Sequence, residues 1–304
     1  MNYSLNKVKN SHRHADIASS IDFLSSASRD SVENNTKSTF HANNVNHWAC
    51  VTTFARHQNT GEKMTVEKEH IIKLRLTDFD CYKRLTPTAV LDIFQDLATE
   101  QAAEVGIGLE DLEAKGLIWA VVRQKVEIVG SAVPHQEVRV KTWPHSPTRM
   151  AFLRDYSLRD LDGNLIAKGT SEWVMLDVEN RKFANVLENY PGPTNFNEER
   201  SFEGRLRKIK DVEMPDEPAL VVTPRFSDYD TNMHMNNAKY ITYIVDAIPQ
   251  HADAHLRTLQ IDYRKEVAGN GNLNIYSCED ELGWHVIGKN AEGATAFSSL
   301  LVYE

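Results

Sequence analysis

Four polar residues at alternate positions mark the segment of the chain that is best suited to chemistry. Asp228, Asp230, Asn232 and His234 lie within residues 225–240, directly before a helical pattern of apolar residues. A polar loop that leads into a helix brings its side chains close to the free backbone N–H groups of the helix N-terminus. Carboxylate, amide and imidazole groups at such a place could hold a water molecule, move a proton or polarise a carbonyl group. We therefore treat this loop as a candidate catalytic site.

A strand and a helix are expected to position this loop. Ala219–Thr223 has the pattern of a strand, and apolar residues at helical spacing follow the loop at Ala238, Ile241, Val245 and Ile248. Further strands are then predicted at Leu256–Glu266, Leu273–Cys278, Trp284–Lys289 and Ala294–Tyr303.

The same order of elements occurs earlier in the chain. A strand is predicted at Ile71–Leu76, and a helix begins at Pro87 with Thr86 as its N-cap. This helix continues to Val105 and ends at the glycines that follow. Strands are predicted after it at Leu117–Val129, at Val138–Thr142, at Phe152–Arg159 and at Leu165–Leu176.

The two halves form an internal repeat in which one copy has lost its polar residues. Asp78-Phe79-Asp80 matches Asp228-Tyr229-Asp230 at an offset of 150 residues. Tyr82 and Arg84 stand where the second copy has Asn232 and His234. The repeat predicts two copies of one α+β fold packed together, as in a fused dimer, with the candidate site in the second copy.

The flanking and connecting segments have a different composition. Residues 1–63 are rich in Asn, Ser and His and carry a net charge of +2, so we expect them to be disordered, with Met64 the true start or the extension dispensable. A transit peptide is the alternative, against which the acidic residues of this segment argue. We expect one unit at 68–190, a linker at 191–218 and a second unit at 219–304.

Bulk properties restrict the class of protein. The net charge of −9 argues against a nucleic-acid partner, and no apolar run approaches the roughly 20 residues that a membrane span needs. The three cysteines are far apart and form no CxxC motif, which favours a cytoplasmic location. No spacing suggests a metal ion, and we expect no cofactor.

Several segments resemble the acyl-acyl carrier protein (acyl-ACP) thioesterases of plant plastids and bacteria. The resemblance lies in Asp230–Ile241, in Asp262-Tyr-Arg-Lys-Glu266, and in the first unit from Arg75–Asp80 to Ser171–Met175. It covers about residues 68–304 and implies a tandem hot-dog fold, in which a long helix of each unit is wrapped by an antiparallel sheet. The implied activity is hydrolysis of the thioester of fatty acyl-ACP, with release of free fatty acid.

The resemblance also implies roles for four residues. Glu266 would be the general base, and Asn232 would position the water or polarise the carbonyl group. His234 would orient the water or share in proton transfer, and Asp230 would hold Asn232 and the loop. Plant members carry a cysteine directly after the glutamate, whereas this chain has Val267, which favours direct attack by water over a covalent route.

Each of these residues also has a structural explanation of its own. Asp230 could be a turn residue, His234 a surface histidine, and Glu266 a solvated strand end. Asn236 and Asn237 are expected to cap the helix in either case. Backbone N–H groups from Asn236 to Ala238 are our candidate oxyanion donors.

The acyl chain is expected to bind in the first unit, among side chains that could equally be ordinary core residues: Val90, Phe94, Leu97, Trp119 and Val121. The implied partner is an acyl carrier protein that bears a phosphopantetheine-linked acyl chain. Because carrier proteins are acidic, docking would need a basic patch. The candidates, which could equally be a solvated surface, are Arg205, Arg207, Lys208 and Lys210 in the linker and Arg139, Lys141, Arg149 and Arg154 on strands.

Three alternatives remain open at this level. The carrier could be coenzyme A in place of a protein, or the fold could be a non-catalytic acyl-binding module. A hot-dog dehydratase is less favoured, because its histidine-containing helix signature is not evident. The oligomeric state is a monomer as a pseudo-dimer or a homodimer.

Overall fold

The computed structural model describes most of the chain after its N-terminal segment. The described residues are 66–180, 182–230, 235–250, 253–265, 267 and 271–304. The expectation for residues 1–63 lies outside this part of the chain. So do the predicted site residues Asn232, His234 and Glu266.

The first half consists of strands around one long helix. Its helices are α1 (Pro87–Glu104), the short α2 (Leu109–Glu113) and α3 (Val186–Asn189). Its strands are β1 (Lys68–Lys73), β2 (Leu117–Ile128), β3 (Glu137–Pro144), β4 (Phe152–Asp160), β5 (Leu165–Asp177) and β6 (Lys182–Ala184). The prediction for α1 is confirmed, since Thr86 Oγ1 accepts a hydrogen bond from the N–H of Ala89 and Pro87 occupies the first turn.

The second half repeats this layout with a shorter helix. It contains α4 (Asn237–Asp246) and the strands β7 (Leu220–Val222), β8 (Leu256–Tyr263), β9 (Leu273–Asp280), β10 (Gly283–Lys289) and β11 (Thr295–Tyr303). The predicted strand at 256–266 is too long, because β8 ends at Tyr263.

The strands form one continuous antiparallel sheet in the described part of the chain. Its order is β1-β3-β4-β5-β2-β8-β11-β10-β9-β7, with β6 added beside β5. The second half of this order is the first half in reverse, so β1, β3, β4, β5 and β2 correspond to β7, β9, β10, β11 and β8. The β2–β8 pair, which is antiparallel, joins the two copies. This is the doubled α+β arrangement that the repeat predicts.

Both long helices lie on one face of the sheet and share its core. Phe94 of α1 stacks on Tyr156 of β4 with ring centroids 4.8 Å apart, and in the other half Tyr240 of α4 meets the ring of Phe297 edge-on at 5.5 Å. The two helices approach each other at Thr88 and Thr242, whose hydroxyl oxygens are 3.5 Å apart. The pseudo-symmetric halves therefore meet both through the sheet and through their helices.

The segment between the halves crosses the opposite face of the sheet. Asp262 points away from the helices and accepts a hydrogen bond of 2.8 Å from the N–H of Ile209. Arg123, on the neighbouring strand β2, pairs with Asp262 at 2.6 Å and with Glu172 at 3.0 Å, and both carboxylates are almost fully buried. Leu206 accepts a further hydrogen bond from Arg123 through its carbonyl group. Residues 206–209 thus cover a buried ion-pair network at the junction of the two copies.

Candidate functional site

The two loops before the helices have the same backbone framework. Each contains a one-turn 3-10 helix, at Leu76–Asp78 and at Phe226–Asp228. Asp78 and Asp228 are buried, and each carboxylate accepts a hydrogen bond of 2.7 Å from a backbone N–H three residues earlier. An isolated bridge closes each loop over the same span, Phe79 to Leu85 in one and Tyr229 to Met235 in the other. The sequence repeat is therefore a structural repeat.

In the first loop an ion pair occupies the place where the second loop carries its polar residues. Asp80 accepts hydrogen bonds from the backbone N–H groups of Tyr82 and Arg84, both at 2.9 Å. Its other oxygen lies 2.7 Å from Nε of Arg84. Arg84 also donates to the carbonyl oxygen of Ala254 in the second half. These contacts leave Asp80 held by donors and poorly suited to activating water.

A cavity of about 300 Å³ in the first half is bounded by residues of the second loop and its helix. The first half contributes most of the lining, from α1, α2, β2, β4 and β5. Asp230 and Asn237 of the second half complete the wall. The candidate loop thus faces a cavity in the opposite half of the molecule. A cavity of about 680 Å³ occupies the corresponding place beside Asp80 and Arg84.

Hydrogen bonds position the start of α4 at this wall. Asn236 is the N-cap, as predicted, and its Oδ1 accepts from the N–H of Ala238 at 2.9 Å. Tyr263 of β8 donates its hydroxyl to Oε1 of Gln124 at 2.8 Å and approaches the carbonyl oxygen of Asn237 at 3.4 Å. Burial raises the pKa of Tyr263 well above its ordinary value, which keeps this hydroxyl a donor. The first turn of α4 is thereby tied to the junction strands.

Among the described residues, two of the three expected oxyanion donors are already used in other hydrogen bonds. The N–H of Asn236 donates to the carbonyl oxygen of Asp228 at 2.8 Å, and that of Ala238 is used by the cap. Within the described residues the N–H of Asn237 makes no hydrogen bond. The expectation that all three amides could serve is therefore wrong for two of them, because closing the loop and capping the helix use their protons.

Of the four predicted catalytic residues, the structure describes Asp230 alone. Asp230 is partly buried and lies on the cavity wall. Asn232 and His234 belong to residues 231–234, which lie between Asp230 and the described residue Met235. Glu266 lies between Lys265 and Val267, just beyond the end of β8. The roles of these three side chains stay predictions.

The predicted acyl-binding residues divide into two groups. Trp119 lines the cavity, and its indole N–H donates to the carbonyl oxygen of Ile107 at 3.0 Å. The other four are buried and do not line the cavity: Val90, Phe94, Leu97 and Val121. Their contribution to chain binding stays a prediction.

Neither of the two positions considered for a covalent route, 267 and 278, carries a reactive nucleophile. Val267 is buried in the core. Cys278 lies on β9 and contacts the carbonyl oxygen of Glu213, and burial raises the pKa of its thiol. A raised pKa keeps the thiol protonated and less nucleophilic.

The two groups of basic residues expected to dock a carrier protein do not form one exposed surface at the cavity. Residues 205–210 run along the sheet face opposite the helices, and Arg205 pairs there with Glu172. On the strands, Arg139 pairs with Glu69 at the surface, whereas Arg154 is only 3% exposed. The expectation of a solvent-facing Arg154 is therefore wrong. It occupies the same strand face as the buried Phe152 and Tyr156, and this parity is the sequence signal that could have identified it.

The described residues include no group of three or more His, Cys, Asp or Glu placed to hold a metal ion. Among the helices of this part of the chain, none is long and apolar enough to cross a membrane.

Comparisons with known proteins agree with these features. The family model of the acyl-ACP thioesterase N-terminal domain matches residues 63–193, and that of the C-terminal domain matches residues 214–297. Oleoyl-acyl carrier protein thioesterase 2 of Arabidopsis thaliana is 29% identical over 204 residues, which are 60% of this chain and 55% of the relative. The oleoyl-acyl carrier protein thioesterase of Coriandrum sativum is 26% identical over 251 residues, 75% of this chain and 68% of the relative. The chain thus spans about half to two thirds of these relatives.

Solved structures show the same fold. An acyl-ACP thioesterase from Bacteroides thetaiotaomicron superposes with a TM-score of 0.67 at 22% identity, covering 78% of this chain and 98% of that one. The 12:0-ACP thioesterase from Umbellularia californica also reaches 0.67, at 19% identity, covering 80% and 99%. The expected tandem hot-dog fold is confirmed. Because the two domain models together match well over half of its residues, the chain belongs to the acyl-ACP thioesterase family.

Proposed function

We propose that this protein hydrolyses the thioester of fatty acyl-acyl carrier protein and releases free fatty acid. Its membership of the family supports the reaction class. The single structural observation that carries the proposal is the cavity in the first half, whose wall is completed by Asp230 and Asn237 of the second half. A chain bound there would end beside the loop that contains Asn232 and His234.

In the proposed reaction a water molecule attacks the thioester carbonyl carbon. Glu266 accepts a proton from the water as its oxygen bonds to that carbon. Asn232 and His234 orient the water and the carbonyl group, and Asp230 holds Asn232. The N–H of Asn237 is the remaining donor at this helix start for the developing oxyanion. The C–S bond then breaks, the departing thiolate takes up the proton held by Glu266, and the products are the fatty acid and the thiol of the carrier. With a pKa of about 8.5 for a simple thiol, the thiolate leaves without a strong general acid.

The proposed partner is an acyl carrier protein with a phosphopantetheine-linked chain. Carrier docking must occur near the cavity on the helix side of the sheet, so the basic residues 205–210 on the other face are not favoured for it. The cytoplasmic location, and the choice between a monomeric pseudo-dimer and a homodimer, stay predictions.

The experiment compares wild type with Glu266→Gln and Asn232→Ala, using the same acyl chain on acyl carrier protein and on coenzyme A. We expect both variants to lose at least about a hundredfold in kcat, because each removes a group that acts in the transition state. Tyr82→Ala changes the corresponding loop of the first copy and is the matched control, expected to keep full activity. Circular dichroism checks that each variant is folded.

Two results would separate the parts of this proposal. Unchanged rates in both site variants would overturn the assignment of the site. Faster turnover of the coenzyme A thioester than of the carrier-protein thioester by wild type would overturn the carrier, while thioester hydrolysis would stand.

A further inference from the structure

Arg154 is a buried cation inside the core of the first half. It lies on β4 between Phe152 and Tyr156, on the strand face that packs towards the helices, and it is 3% exposed. Arginine is almost never fully buried unless an acidic group pairs with it. A specific partner for its charge is therefore expected.

Both side-chain hydrogen bonds that Arg154 makes to described residues are with neutral groups. One terminal nitrogen donates to Oε1 of Gln101 at 2.6 Å, and the other donates to Oγ1 of Thr142 at 3.3 Å. No carboxylate among the described residues pairs with it. Burial lowers the pKa of its guanidinium group. An arginine side chain nevertheless stays protonated in proteins, so a full charge is present here.

The two neutral partners of Arg154 are themselves held in place. Gln101 donates its amide group to the carbonyl oxygen of Val66 at 3.1 Å, so its oxygen is turned towards the arginine. Thr142 donates its hydroxyl to the carbonyl oxygen of Asp155 at 3.1 Å, which leaves its oxygen free to accept. The guanidinium group is thus fixed in one orientation by a rigid polar frame.

Arg154 lines the cavity that Asp230 and Asn237 complete. Other parts of the wall are apolar, including Ile107, Leu112 and Phe152. The guanidinium group has five N–H donors, of which the contacts above use two. An unsubstituted hydrocarbon chain that fills the cavity would remove water from the remaining donors and provide no acceptor, which is unfavourable.

We propose that Arg154 is a specificity residue that binds an oxygen atom carried on the acyl chain itself. The preferred substrates would then be thioesters of oxygen-substituted acyl chains, with a hydroxyl or keto group that accepts a hydrogen bond from the guanidinium group. The apolar wall binds the methylenes on either side of that oxygen. This inference rests on the proposed hydrolysis of acyl thioesters at the same cavity.

The test measures kcat/KM for thioesters of one chain length on acyl carrier protein. The chains are unsubstituted, 3-hydroxy, 3-oxo and hydroxylated at a mid-chain carbon. We expect wild type to prefer at least one oxygenated chain by about tenfold or more, the effect of one hydrogen bond to a charged group. Arg154→Met should abolish or reverse that preference. Arg159→Met, at the exposed end of the same strand, is the matched control and should keep it.

The proposal is overturned if wild type hydrolyses the unsubstituted chain fastest, or if Arg154→Met leaves the ratio unchanged. A binding measurement that needs no hydrolysis covers the case in which Arg154→Met fails to fold. The methyl esters of the same chains, which carry no carboxylate that could pair with Arg154, are added to wild type, and the shift in Tm is recorded. A larger shift with an oxygenated ester than with the plain ester supports the proposal, and an equal or smaller shift overturns it.

The two measurements also separate this inference from the proposed function. If no thioester is hydrolysed but an oxygenated ester gives the larger Tm shift, the proposed reaction fails while the role of Arg154 in binding stands. If plain thioesters are hydrolysed fastest, the reaction stands and the role of Arg154 fails.

Discussion

Asp80 and Asp230 occupy equivalent positions in the two copies, and their surroundings differ in a way that matters for chemistry. Asp80 is held by two backbone N–H groups and by Arg84, so its lone pairs are used within its own loop. Asp230 lies on the wall of the 300 Å³ cavity, next to the segment that carries Asn232 and His234. The first copy has Tyr82 and Arg84 in place of Asn232 and His234, and its loop thus contains a structural ion pair.

A matched pair of substitutions tests this difference. Asp230→Asn should lower kcat/KM for acyl-ACP by about a hundredfold, because the amide cannot hold the neighbouring polar groups as a carboxylate does. Asp80→Asn should leave kcat/KM unchanged and lower Tm, since it weakens the pair with Arg84. Steady-state kinetics and thermal melts of both variants decide the point. Equal losses of activity in the two variants would contradict the assignment.

Helix α1 carries two acidic residues one turn apart, and one of them is partly buried. Asp92 lies on α1 and is partly buried, one turn before Asp96. Burial, and secondarily the charge of Asp96, raise the pKa of Asp92 above its ordinary value. A raised pKa means that the folded state binds this proton more tightly than the unfolded state does. The corresponding stabilisation is complete below the ordinary carboxyl pKa of about 3.9 and is lost as the pH rises through the folded-state pKa.

The charged form of Asp92 should therefore destabilise the fold at neutral pH. Asp92→Asn is expected to have a higher Tm than wild type at pH 7, and the difference should disappear as the pH falls towards 3.9, the ordinary value. Glu113→Gln, at an exposed position on α2, is the control and should leave Tm unchanged. Thermal melts across this pH range provide the measurement. A Tm for Asp92→Asn at or below that of wild type at pH 7 would show the sign to be wrong.

The two copies are joined within the sheet where β2 meets β8. Arg123 of the first copy pairs there with Asp262 of the second and with Glu172, and residues 206–209 cover the network. The same pair of strands supports the start of α4 through Tyr263 and Gln124. Joining of the copies and positioning of the candidate loop thus depend on neighbouring residues.

Removing the central cation should weaken this junction strongly. Arg123→Met removes the cation that the buried carboxylates of Asp262 and Glu172 share, and we expect it to lower the free energy of unfolding by about 3–5 kcal/mol. Arg139→Met breaks a surface pair with Glu69, in which both side chains are 41% exposed, and should cost at most about 1 kcal/mol. Denaturant unfolding curves of the two variants test the comparison. Similar losses would mean that the network contributes no more than a surface pair.

Features encoded within short segments were predictable from the sequence. Thr86 and Asn236 cap their helices as expected, because an N-cap needs only a side-chain oxygen two or three residues from the N–H that it accepts from. The alternation of apolar residues predicted the strands, and the offset between Asp78 and Asp228 predicted two copies of one fold. The same repeat identified the loop that keeps the polar residues.

The tertiary structure decided which distant residues share a site. Asp230 reaches a cavity whose wall belongs mostly to the first half, from Gln95 to Trp173 in the chain. Arg154 was expected at the surface, yet strand pairing and α1 enclose it beside Gln101, 53 positions away. Residues 205–210 were read as part of a polar linker and instead cover buried charges on the outer face. Strand order and the packing of one copy on the other create these contacts, and neither follows from periodicity within a segment, because a local pattern tells which face is buried but not what covers it.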